Sequence, residues 1–128
     1  MKKVITSANA PSPIGPYSHA NLAPASSNFL FISGQVAKDA KTGELTLSDI
    51  KSETDKVMQN LKAILSEAGM DFNKVVKTTI FLRTMNDFAS VNEVYGSYFT
   101  GNFPARETVA VSGLPLNVNV EISVIAAG

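Results

Sequence analysis

Two residues in the last quarter of the chain, Arg106 and Glu121, are of types that could do chemistry together. Arginine presents a planar fork of donors that matches a carboxylate, and a glutamate can orient a water or carry a proton. Both fall inside strand-like runs. Over Thr108 to Ser112 the residues alternate, with Val109 and Val111 on one face; from Val118 onward Val118, Val120, Ile122 and Val124 take one face and leave Glu121, Ser123 and Ile125 on the other. Gly113 and Pro115 punctuate the gap, so the spacing predicts an antiparallel hairpin that turns between Leu114 and Pro115. In that register Thr108 faces Glu121 and Arg106 faces Ser123, which gathers an arginine, hydroxyls and a carboxylate on the face the valines do not use. Spacing alone favours a plainer explanation, an outward polar face with a cross-strand Arg106–Glu121 pair contributing ~0.2–1 kcal/mol.

Other candidates are sparse. There is no GxSxG, no P-loop, no dinucleotide glycine fingerprint and no pair of metal-spaced histidines, so a triad hydrolase or a zinc enzyme does not fit. The chain has no cysteine and therefore no disulfide or thiolate nucleophile. Taken singly, His19 reads as a structural hydrogen-bonder, Gly34 as a strand stop, Tyr17 as a half-buried aromatic with a wet hydroxyl and Asn92 as a helix surface residue.

The elements that would position these groups follow from periodicity. Lys3 to Thr6 suits a short strand, and Asn9 to Pro16, with three prolines and a glycine, an extended loop. Tyr17 to Ala23 and Asn28 to Ser33 read as strands, the second apolar at nearly every position and ended by Gly34. From Ser48 to Ala68 the residues Val57, Leu61, Ile64, Leu65 and Ala68 keep helical spacing, with Ser48 as N-cap, Gly69 as the stop, and Lys51, Glu53, Lys56 and Lys62 off the apolar stripe. Val75 to Leu82 is a β-branched strand, and Asp87 caps a second helix to about Phe99, striped by Val91, Val94, Tyr95 and Tyr98.

That order predicts a two-layer α+β domain with two helices on one face of a single mixed sheet. Asn28 to Ser33 and Val75 to Leu82 look apolar on both sides, more than two helices can cover, so a second copy of the chain is expected on the other face. At 128 residues with 45% hydrophobic content, residues 1–128 fit one domain. Eleven basic and eleven acidic residues cancel, which argues against a nucleic-acid partner. The first apolar run is only Val4-Ile5, and nothing approaches a membrane span, so the expectation is a cytoplasmic protein without membrane contact.

Five segments carry a family resemblance: APSPIGPYSHA at positions 10 to 20, FLFISGQV at 29 to 36, FLRTMNDFASVNEVY at 81 to 95, FPAR at 103 to 106 and VNVEISVIA at 118 to 126. Together they resemble the Rid family, also called YjgF, in its RidA branch. The resemblance implies a chorismate-mutase-like fold assembled as a homotrimer, with a site in each cleft between subunits. It implies hydrolysis of 2-iminobutanoate and 2-iminopropanoate, the reactive products of pyridoxal-phosphate dehydratases, to 2-keto acids and ammonia. An imine carbon is already electrophilic, so no metal or other cofactor is needed. The planar fork of Arg106 suits the substrate carboxylate; by family match Glu121 positions water and relays a proton, and Tyr17, Ser33, Gly34, Asn92 and Thr108 line the cleft. If a second copy covers this face of the sheet, Tyr17 of a neighbour supplies part of the site.

Two positions depart from the family, which often has serine and then cysteine after the motif arginine; here they are Glu107 and Thr108. Alternation turns Glu107 away from Arg106. Two other functions share the same residues. A regulatory protein that senses 2-keto acids or other small carboxylates would use the same Arg106 grip without turnover. The endoribonuclease and translation-inhibitor activity ascribed to some members has the least support, given the balanced charge and single histidine.

Overall fold

Val75–Leu82 takes an inner position in the sheet, where both of its edges are paired. A computed structural model describes Met1–Gly128. Its elements run β1 (Lys3–Ile5), β2 (Ala20–Leu22), β3 (Phe29–Gln35), α1 (Ile50–Glu67), β4 (Val75–Leu82), α2 (Phe88–Gly96), β5 (Ala105–Ala110) and β6 (Val120–Ala127). The order of strands and helices is the one the periodicity predicts. β3, β6, β4 and β5 form one mixed sheet in that spatial order, while β1 and β2 pair apart as a two-stranded ribbon. No helix is long and apolar enough to cross a membrane.

The predicted hairpin does not form. β5 runs parallel to β4, with Thr78 beside Arg106 and Ile80 beside Thr108. β6 runs antiparallel along the other edge of β4, with Phe81 beside Glu121 and Thr79 beside Ser123. Thr108 therefore does not face Glu121, nor Arg106 Ser123. A parallel pair needs a crossover, and α2 is that crossover. The segment after β5 then straddles the end of β4: the Val111 N–H donates to the Leu82 carbonyl at 2.8 Å and the Arg83 N–H to the Asn119 carbonyl at 3.1 Å. Between those anchors a 3-10 turn at Pro115–Asn117 places Leu116 and Asn117 in the left-handed region, at φ 59° and 54°. The chain thus steps across β4 instead of folding back on β5.

Both helices pack on one face of the sheet. Val57, Met58, Leu61 and Leu65 of α1 and Val91 and Tyr95 of α2 close over Ile80, Leu82, Val120, Ile122 and Val124. Each fully buried Leu or Ile contributes about 1.5–3 kcal/mol. The α1 cap is Asp49, whose carboxylate accepts from the Ser52 N–H at 2.8 Å; Ser48 is not the cap. α2 ends at Gly96, earlier than the periodicity predicts, because Tyr98 and Phe99 continue into short turns.

Glu53 is the element the apolar stripe hid. It is fully buried on α1, and its carboxylate accepts from the Asn119 N–H at 2.7 Å, the Asn119 amide at 2.8 Å and the Val120 N–H at 3.3 Å. The helix thereby clamps the start of β6, the strand that carries Glu121. Glu53→Ala leaves the buried Val120 N–H and two half-buried Asn119 donors unpaired and is expected to cost about 2–3 kcal/mol, read as a lower urea midpoint. An unchanged midpoint would show that the clamp contributes nothing.

The far face of the sheet is polar in the middle and apolar at its margins. Phe29, Phe31 and Val109 are exposed on it, Phe31 by 73%. In the single chain β3 and β4 are thus buried on the helix side only. β3 also does not stop at Gly34: it continues to Gln35, with an irregularity in its pairing to β6 between Ile32 and Gln35.

Candidate functional site

Arg106 projects on the helix side of β5, in register with the buried Thr78. Its Nη1 donates to Asn92 Oδ1 on α2 at 2.7 Å. Three aromatic rings flank the guanidinium, with Cζ 5.2 Å from the centroid of Tyr95, 5.7 Å from Tyr17 and 5.9 Å from Phe88. These are cation–π distances. Burial pulls the Arg106 ionisation below its ordinary value while Tyr95 and Tyr17 oppose the shift; a guanidinium is not deprotonated in proteins, so it carries its charge.

What the guanidinium lacks is an anion. The ion pairs of the chain are Lys51–Glu93, Lys56–Asp39 and Lys77–Glu107, and none includes Arg106. Three buried side-chain polar atoms have no hydrogen-bond partner in the chain: Asn21 Oδ1, Arg106 Nε and Thr108 Oγ1. Two of them lie on the same face of β5, two residues apart. A buried charge and a buried hydroxyl left unsatisfied are costly, and a ligand with acceptor oxygens relieves both.

Glu107 does not compete for the guanidinium. It points to the opposite face, as alternation predicts, and accepts from Lys77 Nζ at 2.7 Å and Thr79 Oγ1 at 3.0 Å. Those bonds, the lysine's first, hold its carboxyl below the usual range.

Glu121 lies on that far face too, since it pairs with Phe81 while Arg106 pairs with Thr78. Its carboxylate rests on Gly34, where an added Cβ would fall 2.6 Å from Glu121 Cδ. The missing side chain at Gly34 is what admits the carboxylate. Ser33 is exposed beside it. The predicted site residues therefore separate into two groups. Tyr17, Asn92, Arg106 and Thr108 gather on the helix side, and Ser33, Gly34 and Glu121 gather on the open side, with the sheet between them.

Tyr17, expected from a neighbouring copy, sits by the Arg106 of its own chain, and its hydroxyl accepts from the Ile14 N–H at 3.3 Å. His19 is structural: Nδ1 accepts from the Ser7 N–H at 3.1 Å and Nε2 donates to the Pro11 carbonyl at 2.6 Å. Phe88 and Tyr95 are the site residues that sequence reasoning passed over, Tyr95 having been placed in the core stripe. Their spacing from Asn92 was the available signal, since positions 88, 92 and 95 share one helix face. A groove of about 660 Å³ opens between Gly34–Val36, the Lys38–Gly43 loop and Asn60. It touches neither Arg106 nor Glu121, and the unsatisfied Arg106 and Thr108 mark the site better than that concavity does.

Comparison with known proteins gives matches that span nearly the whole chain. The family model described as endoribonuclease L-PSP matches residues 7 to 128. The chain is 54% identical over 126 residues to a RutC family protein of Pyrococcus horikoshii, covering 98% of each. It is 45% identical over 126 residues to the 2-iminobutanoate/2-iminopropanoate deaminase of Mus musculus, covering 98% of this chain and 91% of that one. Among solved structures, the Rid-family protein YyfA of Yersinia pestis superposes with a TM-score of 0.77 at 46% identity, covering all of both chains.

Proposed function

Since the chain belongs to the Rid (YjgF) family, whose model carries the name endoribonuclease L-PSP, we propose that it hydrolyses 2-imino acids and their enamine tautomers to 2-keto acids and ammonia. We place the site between neighbouring copies in a homotrimer. The observation that carries the reading is the half-buried Arg106 with no anion of its own, its buried Nε unsatisfied, and an unsatisfied Thr108 hydroxyl on the same face of β5. That is a receptor for a carboxylate.

The mechanism follows from the groups present. Arg106 grips the carboxylate of the imino acid and so fixes C2, with Thr108 donating to the same end of the substrate. Water adds to C2 of the C=N bond; Glu121 takes its proton and passes one to the nitrogen. The carbinolamine collapses, its C–N bond breaks, and ammonia leaves a 2-keto acid. One water enters and one ammonia departs.

In one chain Arg106 and Glu121 sit on opposite faces of the sheet, so the two can cooperate only if Glu121 comes from a neighbouring copy. The exposed Phe29, Phe31 and Val109 on the face that carries Glu121 suit that contact. The mouse relative, a deaminase by name, supports the reaction class. A ribonuclease reading gains nothing from His19, the only histidine, since both its ring nitrogens are engaged by backbone.

The test is a threonine dehydratase assay that follows 2-iminobutanoate decay with and without the protein. Acceleration is expected. Unchanged decay with retained 2-oxobutanoate binding would replace the enzyme by a carboxylate sensor built on the same arginine. Gly34→Ala gives a second check. Its methyl must push the Glu121 carboxylate aside, so kcat/KM is expected to fall about ten- to a hundredfold with little change in melting temperature, because only the end of a flexible side chain moves. Full activity in that variant would remove Glu121 from the mechanism.

A further inference from the structure

We infer that Tyr95, tied to Thr78, is a positioning residue that sets the plane of the Arg106 guanidinium. The inference rests on the carboxylate-binding reading of Arg106 proposed above and extends it to a residue outside the substrate's reach.

Arginine is long and flexible, and Arg106 stands on β5, an edge strand of the sheet. Something must hold its fork still if it is to grip a carboxylate at two oxygens. Tyr17 and Phe88 flank it, but neither is fully buried. Tyr95 has no exposed surface, and its ring lies nearest, 5.2 Å from Cζ. Its hydroxyl donates to Thr78 Oγ1 at 2.9 Å, and Thr78 is itself fully buried.

Thr78 is the residue of β4 that stands beside Arg106 in the sheet. The Tyr95 ring is therefore pinned at both ends, by α2 through its backbone and by β4 through its hydroxyl, next to the strand position from which the arginine grows. Such a ring cannot follow the guanidinium; the guanidinium must settle against the ring. Burial pushes the Tyr95 hydroxyl up to about 12, so the tether remains a neutral donor at physiological pH. Asn92, one turn earlier on the same helix, takes Nη1. Ring and amide together fix the plane and leave Nε free. α2 thus presents a prepared cation to the ligand.

The experiment compares Tyr95→Leu, Tyr95→Phe and, as a control for lost packing, Val91→Ala, since Val91 is equally buried on α2 but makes no cation–π or hydrogen-bond contact with Arg106. The leucine variant is expected to bind 2-oxobutanoate about tenfold more weakly by calorimetry. Its KM for the imine should rise in parallel with kcat changed by less than about twofold, because the grip acts on ground and transition states alike. Tyr95→Phe, which keeps the ring but loses the tether to Thr78, should bind about three- to fivefold more weakly than wild type, between wild type and the leucine variant. Val91→Ala should melt earlier yet bind normally.

Wild-type affinity in a folded leucine variant, or in the phenylalanine variant that lacks the tether, overturns the inference. So does weakened binding in Val91→Ala to the same extent. Should the leucine variant not fold, the wild-type Arg106 guanidinium N–H resonances decide: cross-peaks to the Tyr95 ring protons with slowed guanidinium rotation support the role, and a freely rotating guanidinium refutes it. A wild type that binds 2-oxobutanoate without hastening imine decay defeats the deaminase reading alone. The affinity ratios still judge Tyr95. A wild type that does not bind 2-oxobutanoate at all overturns both.

Discussion

Arg106→Ala is expected to lower kcat/KM for imine hydrolysis by about a hundredfold or more. The variant loses one or two charge-assisted hydrogen bonds to the substrate carboxylate, each ~1.5–3 kcal/mol, and every 1.36 kcal/mol is a decade in rate. Arg106→Lys keeps the charge without the fork, so it is expected to recover only part of the loss, remaining about tenfold below wild type. Stability should barely respond. Arg106 has no ion pair in the chain; the alanine variant loses its side-chain hydrogen bond to Asn92 and its contacts with three rings but also removes a desolvated charge with an unpaired Nε, so it is expected to melt within about 4 °C of wild type. That combination separates a binding residue from a structural one. Coupled kinetics and a thermal melt suffice to check it, and full activity in the alanine variant would end the mechanism.

How much of this was legible in the sequence depends on which interactions are local. α1 is, because a helix face repeats along the chain and needs no knowledge of its neighbour: Val57, Leu61 and Leu65 are periodic and are all buried. Strand partnership is not. Alternation shows that Arg106 and Glu121 lie in strands, but the same alternation suits any pairing of those strands. The short gap between them favoured a hairpin. The competing signal was a strand, a helix and a strand from Val75 to Ala110, which is a parallel crossover unit, and it won. Glu53 escaped for a related reason, since its partners are backbone N–H groups more than sixty positions away, in a segment with no acidic or basic signature. Arg106 and Glu121 stood out by residue type within strand patterns and Asn92 and Gly34 were reached through family resemblance, while their division between two faces of the sheet required the register. Tyr95 looked like core, and it is core. Its second role comes from Thr78, a residue that periodicity would not single out.

The division between faces yields the sharpest prediction, that two inactive variants should restore activity to each other. Arg106→Ala and Glu121→Gln are each expected to fall about a hundredfold or more when assembled alone, the first for want of a carboxylate grip and the second for want of a proton carrier. If each site draws Arg106 from one copy and Glu121 from another, mixed assemblies contain some sites with both residues intact. Random mixing at equal amounts gives about a quarter of sites in that state, one half for the arginine side times one half for the glutamate side. Denaturing the two variants together and refolding them should then return about a quarter of wild-type kcat/KM, far above either variant refolded alone. A site built within one chain predicts no recovery, because every chain carries one lesion. The sheet register already disfavours that alternative, since Thr78 and Phe81, the partners of Arg106 and Glu121, face opposite ways along β4. Mixing without refolding should recover little activity if the assembly exchanges subunits slowly, and recovery should then appear with the kinetics of subunit exchange. Absence of recovery after co-refolding, with mixed assemblies verified by mass, would return both residues to a single chain and remove the intersubunit site.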